Sequence, residues 1–158
     1  MITQKMKYAL KALMVLGDER AGDAKSLRID EIASRSGTPK RFLEHILLEI
    51  RNAGIIASTR GRSGGYALIK EPRLVSLTDL LRLIDGPIAP IPCLSRKAYQ
   101  RCEDCTNEAT CRIRRVFAEV FWSYLVLLES LTLDDLLKTN PLAETLLEPS
   151  APSLSSIN

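Results

Sequence analysis

All four cysteines of the chain lie between residues 93 and 111, in the stretch CLSRKAYQRCEDCTNEATC. They are Cys93, Cys102, Cys105 and Cys111, with the spacing C-x8-C-x2-C-x5-C. Thiolates at such separations can converge on one soft metal centre, and four cysteines are also a common structural zinc set. A reversible disulfide between Cys102 and Cys105 is a third possibility. The window therefore predicts a metal centre or a thiol switch.

The rest of the composition sets the context for these thiols. The 158 residues are 46% hydrophobic, which suffices for one domain with an appended element and a core that needs no disulfides. No apolar run reaches the roughly 20 residues that span a bilayer, and the amphipathic, early-charged amino terminus is unlike a signal peptide. We therefore expect a cytoplasmic protein without a membrane partner. In a reducing cytosol, clustered cysteines are more often metal ligands or redox sensors than disulfides.

Positive charge is concentrated in the first half of the chain. Residues 1–70 contain 13 lysines and arginines against 7 acidic residues, whereas residues 71–158 contain 9 against 12. This asymmetry indicates that the first segment faces a polyanion.

The segment DEIASRSGTPKRFLEHILLEIRNAG, residues 30–54, predicts a helix-turn-helix. A short helix around Ile32 and Ala33 precedes a turn at Gly37, and Thr38 is the predicted N-cap of a second helix with Pro39 at its first position. The predicted buried side of this second helix consists of Phe42, Leu43, Ile46, Leu47 and Ile50. Its polar side consists of Lys40, Arg41, Glu44, His45 and Arg51. These polar residues are candidate DNA contacts, with Glu44 the sharpest candidate for reading a base because a carboxylate near phosphates is otherwise unfavourable.

The next segment, IIASTRGRSGGYALI, predicts a hairpin with strands at residues 55–59 and 66–69. A phosphate-binding loop is not favoured, because no Gly-Lys-Ser/Thr follows the glycines. A hairpin directly after a recognition-type helix is the wing of a winged helix. Its tip supplies further candidate DNA contacts: Arg60, Arg62, Ser63, Gly64, Gly65 and Tyr66.

Five motifs occur in a characteristic order: YALKAL, IASRSGTPKRFLEHIL, RGRSGGYAL, SLTDLLRLIDGPIAP and the cysteine window. Over roughly residues 1–138 this order resembles the IscR-type winged-helix regulators of the Rrf-two family, which include iron-sulfur and nitric-oxide sensors. The resemblance implies a mainly α fold with a small β hairpin, and a transcription regulator, expected to be a repressor, that binds double-stranded DNA. It also implies an iron-sulfur cluster, [2Fe-2S] or [4Fe-4S], with zinc as the alternative.

The resemblance bears on the ligands as well. The pair Cys105 and Cys111 matches the last two cluster ligands of these sensors, and either Cys102 or Cys93 stands for the first. The chain departs from the pattern at the fourth ligand, because Arg114 replaces the histidine of one branch and Lys7 stands roughly where another branch has an acid. Four cysteines could make up for that loss.

The carboxy-terminal part predicts self-association. Apolar residues recur in steps of four and three at Ile113, Phe117, Val120, Tyr124, Leu127 and Leu131. A second stripe, Val116, Phe121, Leu125 and Leu128, widens this surface beyond what one neighbour covers. We therefore expect a long dimerisation helix, a homodimer and a palindromic operator with half-sites about one helical turn apart.

These patterns divide the chain into four predicted parts. Residues 1–72 are the winged helix-turn-helix domain, 73–111 a linker helix and sensor loop, 112–138 the dimerisation helix with a short terminal helix, and 139–158 a Pro/Ser-rich disordered tail. The competing interpretations are a thiol oxidoreductase and a zinc-stabilised interaction module. No thioredoxin-like strand-helix pattern precedes the CEDC segment, and no nucleophile has a plausible base, so we predict that the chain is not an enzyme.

Overall fold

Six helices and one two-stranded hairpin make up residues 2–22, 25–61 and 64–138, the part of the chain that the structure, a computed structural model, describes. The helices are α1 (Gln4–Ala21), α2 (Ile29–Ser36), α3 (Lys40–Asn52), α4 (Leu77–Ile84), α5 (Arg112–Ser130) and α6 (Leu133–Leu137). The strands are β1 (Ile56–Thr59) and β2 (Gly65–Leu68), and two 3-10 turns lie at Pro72–Leu74 and Pro92–Leu94. The predicted fold class, mainly α with a small β hairpin, is confirmed. The predicted tail, residues 139–158, lies outside the described residues.

Helix α1 is the centre of the core. The Thr3 side chain caps it by accepting a hydrogen bond from the Met6 amide at 3.1 Å. The buried residues of α1 are Met6, Ala9, Ala12, Leu13, Val15, Leu16 and Gly17. The larger side chains of Leu10 and Met14 are only half-buried. Small alanines are buried instead, because α2, α3, α4 and α6 all pack around this one helix.

Helices α2 and α3 are joined by a tight turn. Gly37 has φ 62°, a left-handed conformation that glycine adopts without strain. The predicted start of α3 is wrong by one residue: Pro39 is the N-cap, and the buried Thr38 hydroxyl caps nothing and has no hydrogen-bond partner. The predicted burial of Phe42 is also wrong, because this ring is 42% exposed at the edge of the apolar stripe.

The hairpin is anchored to the loop before α2. In its register Ile56 pairs with Leu68 and Thr59 with Gly65. Strand β1 begins one residue later than predicted, whereas β2 begins and ends one residue earlier than predicted. The Leu27 amide donates to the Tyr66 carbonyl at 2.9 Å, and the Tyr66 amide donates to the Leu27 carbonyl at 2.8 Å. These two hydrogen bonds fix the hairpin against the helix pair.

The carboxy-terminal helices return the chain to α1. Ser76 caps α4, since its Oγ accepts from the Asp79 amide at 3.4 Å. The Leu77 amide donates to the Leu131 carbonyl at 3.0 Å, which ties the start of α4 to the end of α5. Helix α6 then packs on α1 so closely that a Cβ at Gly17 would lie 2.6 Å from a Leu137 methyl carbon. Thus α6, although far along the chain, belongs to the same core as α1.

Candidate functional site

The polar face of α3 projects into solvent. Its opposite face is held by four fully buried side chains, Leu43, Ile46, Leu47 and Ile50. As a consequence Lys40, Arg41, Glu44, His45 and Arg51 are all exposed. The predicted set therefore shares one accessible surface, here called the α3 face.

Two of the cations on this face are already positioned by neighbours. Lys40 Nζ lies 2.7 Å from an Asp30 carboxylate oxygen, and this hydrogen bond raises the pKa of Lys40. The Arg41 guanidinium lies 4.8 Å from the centroid of the Phe42 ring, which in turn lies 5.5 Å from the Tyr8 ring. Sequence reasoning missed Asp30 and Phe42. The only signal in the sequence for the exposure of Phe42 is its position at the edge of the apolar side of the helix.

The wing lies next to the carboxy-terminal end of α3. Arg51 Nη1 lies 3.4 Å from the Ser58 hydroxyl of β1, so this arginine is directed towards the hairpin. Arg60 is exposed at the tip, where Gly61 has φ 111°. The other predicted tip contacts, Arg62 and Ser63, lie outside the described residues.

The remaining predicted wing contacts have an intramolecular packing role. A Cβ at Gly64 would lie 2.4 Å from the Thr59 carbonyl oxygen, and one at Gly65 would lie 2.5 Å from the Leu27 carbonyl oxygen. Tyr66 is half-buried against the core. These two glycines are thus required by the close approach of backbone to backbone within the wing.

The four cysteines line one cavity at the amino-terminal end of α5. The cavity has a volume of about 430 Å³, and its other walls include Ile91, Asp104, Asn107 and Ile113. Cys93 is buried in the turn Pro92–Leu94, whereas Cys102, Cys105 and Cys111 are half-buried. All four are free thiols. The structure therefore brings the whole predicted ligand set together.

Local hydrogen bonds hold the cysteine loop. The Cys105 amide donates to the Cys102 carbonyl at 3.1 Å, and Arg101 Nη2 donates to the Cys105 carbonyl at 2.8 Å. Cys111 is the N-cap of α5, since its sulfur accepts from the Arg114 amide at 3.4 Å. Tyr99 donates its hydroxyl proton to Glu108.

The environments of Cys93 and Cys105 favour the neutral form of these two thiols. Burial is the main cause of the raised pKa of Cys93, and a hydrogen bond with Cys102 adds to it. Burial also raises the pKa of Cys105, followed by the nearby Cys111. Arg114 opposes the shift at Cys93, and its buried Nε has no hydrogen-bond partner. The residue that replaces a family ligand thus brings positive charge to the cysteine cavity.

The thiols are not spaced as ligands in the structure. Within residues 2–22, 25–61 and 64–138, no three histidine, cysteine, aspartate or glutamate side chains are arranged to hold a metal ion. The donor chemistry and the shared cavity suit a thiolate-ligated centre. The loop has to contract before its sulfurs meet at one ion. His45 lies on the α3 face and does not line the cavity.

Helix α5 presents a long apolar surface to solvent. Three residues of the second stripe, Phe121, Leu125 and Leu128, are buried against the chain itself, whereas Val116 of that stripe is 61% exposed. All six residues of the predicted seam are exposed: Ile113, Phe117, Val120, Tyr124, Leu127 and Leu131. We call these six residues the α5 seam. A cavity of about 620 Å³ beside it is lined by Phe117, Val120 and Tyr124 together with Thr3 and Leu81.

None of the helices in the described ranges is both long and apolar enough to cross a membrane.

An exposed helix of a helix-turn-helix, followed by an anchored basic wing, defines a winged-helix DNA-binding regulator. Comparison with known proteins gives the family: residues 2–139 match Rrf2, described as an iron-dependent transcriptional regulator. The chain belongs to the Rrf2 family. This membership confirms the predicted resemblance and the prediction of a non-enzymatic regulator.

Individual relatives agree with this assignment. An rrf2-like HTH-type transcriptional regulator of Rhodobacter capsulatus is 68% identical over 149 residues, covering 94% of this chain and 99% of the relative. CymR of Bacillus subtilis is 33% identical over 135 residues, covering 85% and 88%.

Solved structures share the fold. The structure of CymR, the global cysteine regulator of B. subtilis, has a TM-score of 0.69 at 28% identity and covers 87% of this chain and 95% of that one. T. potens IscR has a TM-score of 0.65 at 25% identity, covering 87% and 85%.

Proposed function

We propose that this regulator binds a palindromic operator as a homodimer, represses transcription in the cytoplasm, and changes its operator affinity with the state of its four cysteines. The observation that carries the proposal is the joint occurrence of a solvent-facing α3 and a cavity lined by every thiol of the chain.

The α3 face reads bases. Glu44 is its exposed carboxylate and accepts a hydrogen bond from a cytosine amino group, whereas Arg41 donates to a guanine edge or a phosphate. Phe42 supports Arg41 from below by a cation–π contact. Lys40, His45 and Arg51 add contacts along the same groove, and Asp30 is displaced from Lys40 when a phosphate takes its place.

The wing contacts the sugar-phosphate backbone of the DNA. Arg60 lies at the wing tip, and Arg62 and Ser63 follow it in the sequence. Arginines there contact phosphates or a narrow minor groove, which adds affinity that depends on salt.

A second copy of the chain covers the α5 seam. Monomeric proteins rarely expose a contiguous apolar stripe of this length, and the neighbouring cavity offers space for side chains of a partner helix. Pairing two copies sets the distance between two α3 faces and so requires a two-fold symmetric site on DNA.

The cysteine cavity is the sensor. The thiols of Cys93, Cys102, Cys105 and Cys111 would hold an iron-sulfur cluster, which supplies a redox- and iron-responsive centre when bound. Because the loop leads directly into α5 through Cys111, ordering the loop biases the placement of the dimer helix. Arg114 offsets the negative charge of the thiolates.

A thiol switch is the second candidate, either in the Cys102–Cys105 pair or in the pair Cys93 and Cys102, because these thiols line the same cavity. In that case peroxide oxidises the two thiols to a disulfide and is itself reduced to water. A zinc ion held by the same four thiolates is the third.

Specific DNA binding is tested by selecting operators from a random DNA library with the wild type and with Glu44→Ala. We expect Glu44→Ala to relax selection at one base pair by about 1–3 kcal/mol of discrimination. Glu119→Ala is a matched control, since Glu119 is an exposed carboxylate on α5 and not on α3. An unchanged preference in Glu44→Ala contradicts the assigned role.

The sensor is tested by anaerobic purification, visible absorption and metal analysis, followed by the same measurements on four single Cys→Ser variants. Brown protein with iron and sulfide supports the cluster, and colourless protein with zinc supports the zinc alternative. Loss of metal without any change in operator affinity would remove the sensing role while leaving DNA binding intact.

A further inference from the structure

A second small cavity lies between α4, the segment that follows it, and α5. Its volume is about 150 Å³, and its walls include Arg82, Gly86, Ser95, Arg96, Lys97 and Leu125. We propose that this basic cavity binds a small tetrahedral oxyanion, either free phosphate or sulfate or the phosphate group of a small metabolite.

The charges around the cavity are positive. Three cations line it and no acidic side chain does. Arg82 is held in place from outside, with Nη1 at 3.3 Å from Asp79 and Nη2 at 3.3 Å from Glu129. Since a guanidinium has five N–H donors, Arg82 keeps donors for a ligand in the cavity. Only 23% of its side chain is exposed, and Asp79 and Glu129 offset its charge, so Arg82 contributes directed donors while Arg96 and Lys97 contribute the positive charge.

The other donors are also pre-positioned. The Arg96 guanidinium lies 4.1 Å from the centroid of the Trp122 ring, and neither Arg96 nor Lys97 forms an ion pair within the described ranges. Ser95 is buried, with its Oγ accepting from the Ala98 amide at 3.0 Å. The hydroxyl proton of Ser95 is therefore available to an acceptor in the cavity.

The volume of the cavity limits the size of the ligand that it can bind. At roughly 30 Å³ for each water in the liquid, the cavity corresponds to about five water molecules. It is smaller than the roughly 300 Å³ at which pockets for drug-sized molecules begin. Guanidinium groups match the oxygens of phosphate and sulfate by paired hydrogen bonds. A single tetrahedral oxyanion thus fits both the volume and the donors, whereas a nucleotide does not.

The cavity stays open when a second copy covers the α5 seam. Trp122 follows Val120 by two positions and so lies roughly 200° further around the helix. Trp122 flanks one side of the buried stripe of α5, to which Leu125 belongs, and the seam flanks the other. The anion site is therefore independent of the proposed dimer interface.

The test uses Trp122, the only tryptophan of the chain, as a reporter. The full-length protein is titrated with sulfate, phosphate and glycerol 3-phosphate at constant ionic strength set with chloride, and its fluorescence and calorimetric heat are recorded. We expect saturable binding of a free oxyanion or of the phosphate monoester, with a rise in Tm that follows occupancy. Which of the probes binds tells whether the site takes the free ion or a phosphate group on a metabolite.

Two exposed positions provide the variants. Arg96→Gln and Lys97→Gln should each weaken binding about tenfold or more. Because Lys97→Gln leaves the Arg96–Trp122 contact in place, the fluorescence of Trp122 still reports anion binding in this variant. Arg73→Gln, an exposed arginine in the turn before α4, is the matched control and should bind as the wild type does. A response equal to that of chloride, or unchanged affinity in both variants, overturns the proposal. Neither result bears on operator binding, which is measured without these anions.

Discussion

Replacing Val120 by alanine should weaken self-association of the chain about 30-fold, whereas the same change at Val126 should have little effect. Val120 and Val126 are 66% and 68% exposed on α5. They therefore differ chiefly in the side of the helix on which they lie. Val120 belongs to the α5 seam, and Val126 points well away from it. Comparing the two variants therefore shows whether self-association depends on the α5 seam or on any exposed apolar residue of the helix.

The magnitude follows from the exposed fraction. Valine to alanine removes two methyl groups, worth about 1.6 kcal/mol when fully buried. Since 66% of Val120 is available for burial, about 1 kcal/mol is lost per copy. A two-fold symmetric interface loses it twice, and about 2 kcal/mol corresponds to about 30-fold in the dissociation constant.

Sedimentation velocity over a dilution series that brackets the dimer dissociation constant measures this effect. Both substitutions lie on an exposed helix surface and exchange a β-branched residue for alanine, so neither should lower the Tm of the monomer. Equal weakening by both variants, or none by Val120→Ala, would refute the assignment of the seam.

Three further predictions concern the wing and the terminal helix. Arg60→Gln should reduce the slope of log affinity against log salt by about 1 while leaving site preference unchanged, as measured by DNA titrations at several salt concentrations. Gly65→Ala should destabilise the protein by roughly 1–3 kcal/mol in denaturant unfolding, because its Cβ would lie 2.5 Å from the Leu27 carbonyl oxygen. Hydrogen bonds from Thr132 lower the pKa of Asp135, so this carboxylate stabilises the fold above its unfolded pKa, and the contribution disappears as pH falls through the lowered folded pKa. Thermal unfolding between about pH 6 and pH 2 should show that loss in the wild type and a flatter profile in Asp135→Asn.

Several features of the protein were readable directly from the sequence. Gly37 marks a left-handed turn because glycine alone adopts positive φ without strain, and Ser76 marks a helix start because its hydroxyl satisfies a free amide. The repeat of apolar residues in α5 also identifies six side chains that the structure leaves exposed. Such signals are local: they depend on neighbours within one or two turns of the chain.

Other features depended on contacts between distant segments. Phe42 looks like a core residue in its helix, yet α1 leaves it exposed beside Tyr8, and Thr38 is buried where a cap was expected. The basic cavity likewise joins Arg82 to Arg96 across the end of α4.

The amino-acid sequence by itself determined the fold class, the α3 face and the set of four thiols, because periodicity, turn residues and clustered cysteines are properties of short stretches. Only the tertiary structure decided that all four thiols line one cavity, that Gly65 serves backbone packing, and that α6 returns to α1. The physical reason is that burial and close approach depend on which segments meet in space, and such meetings are set by the whole core rather than by any one segment.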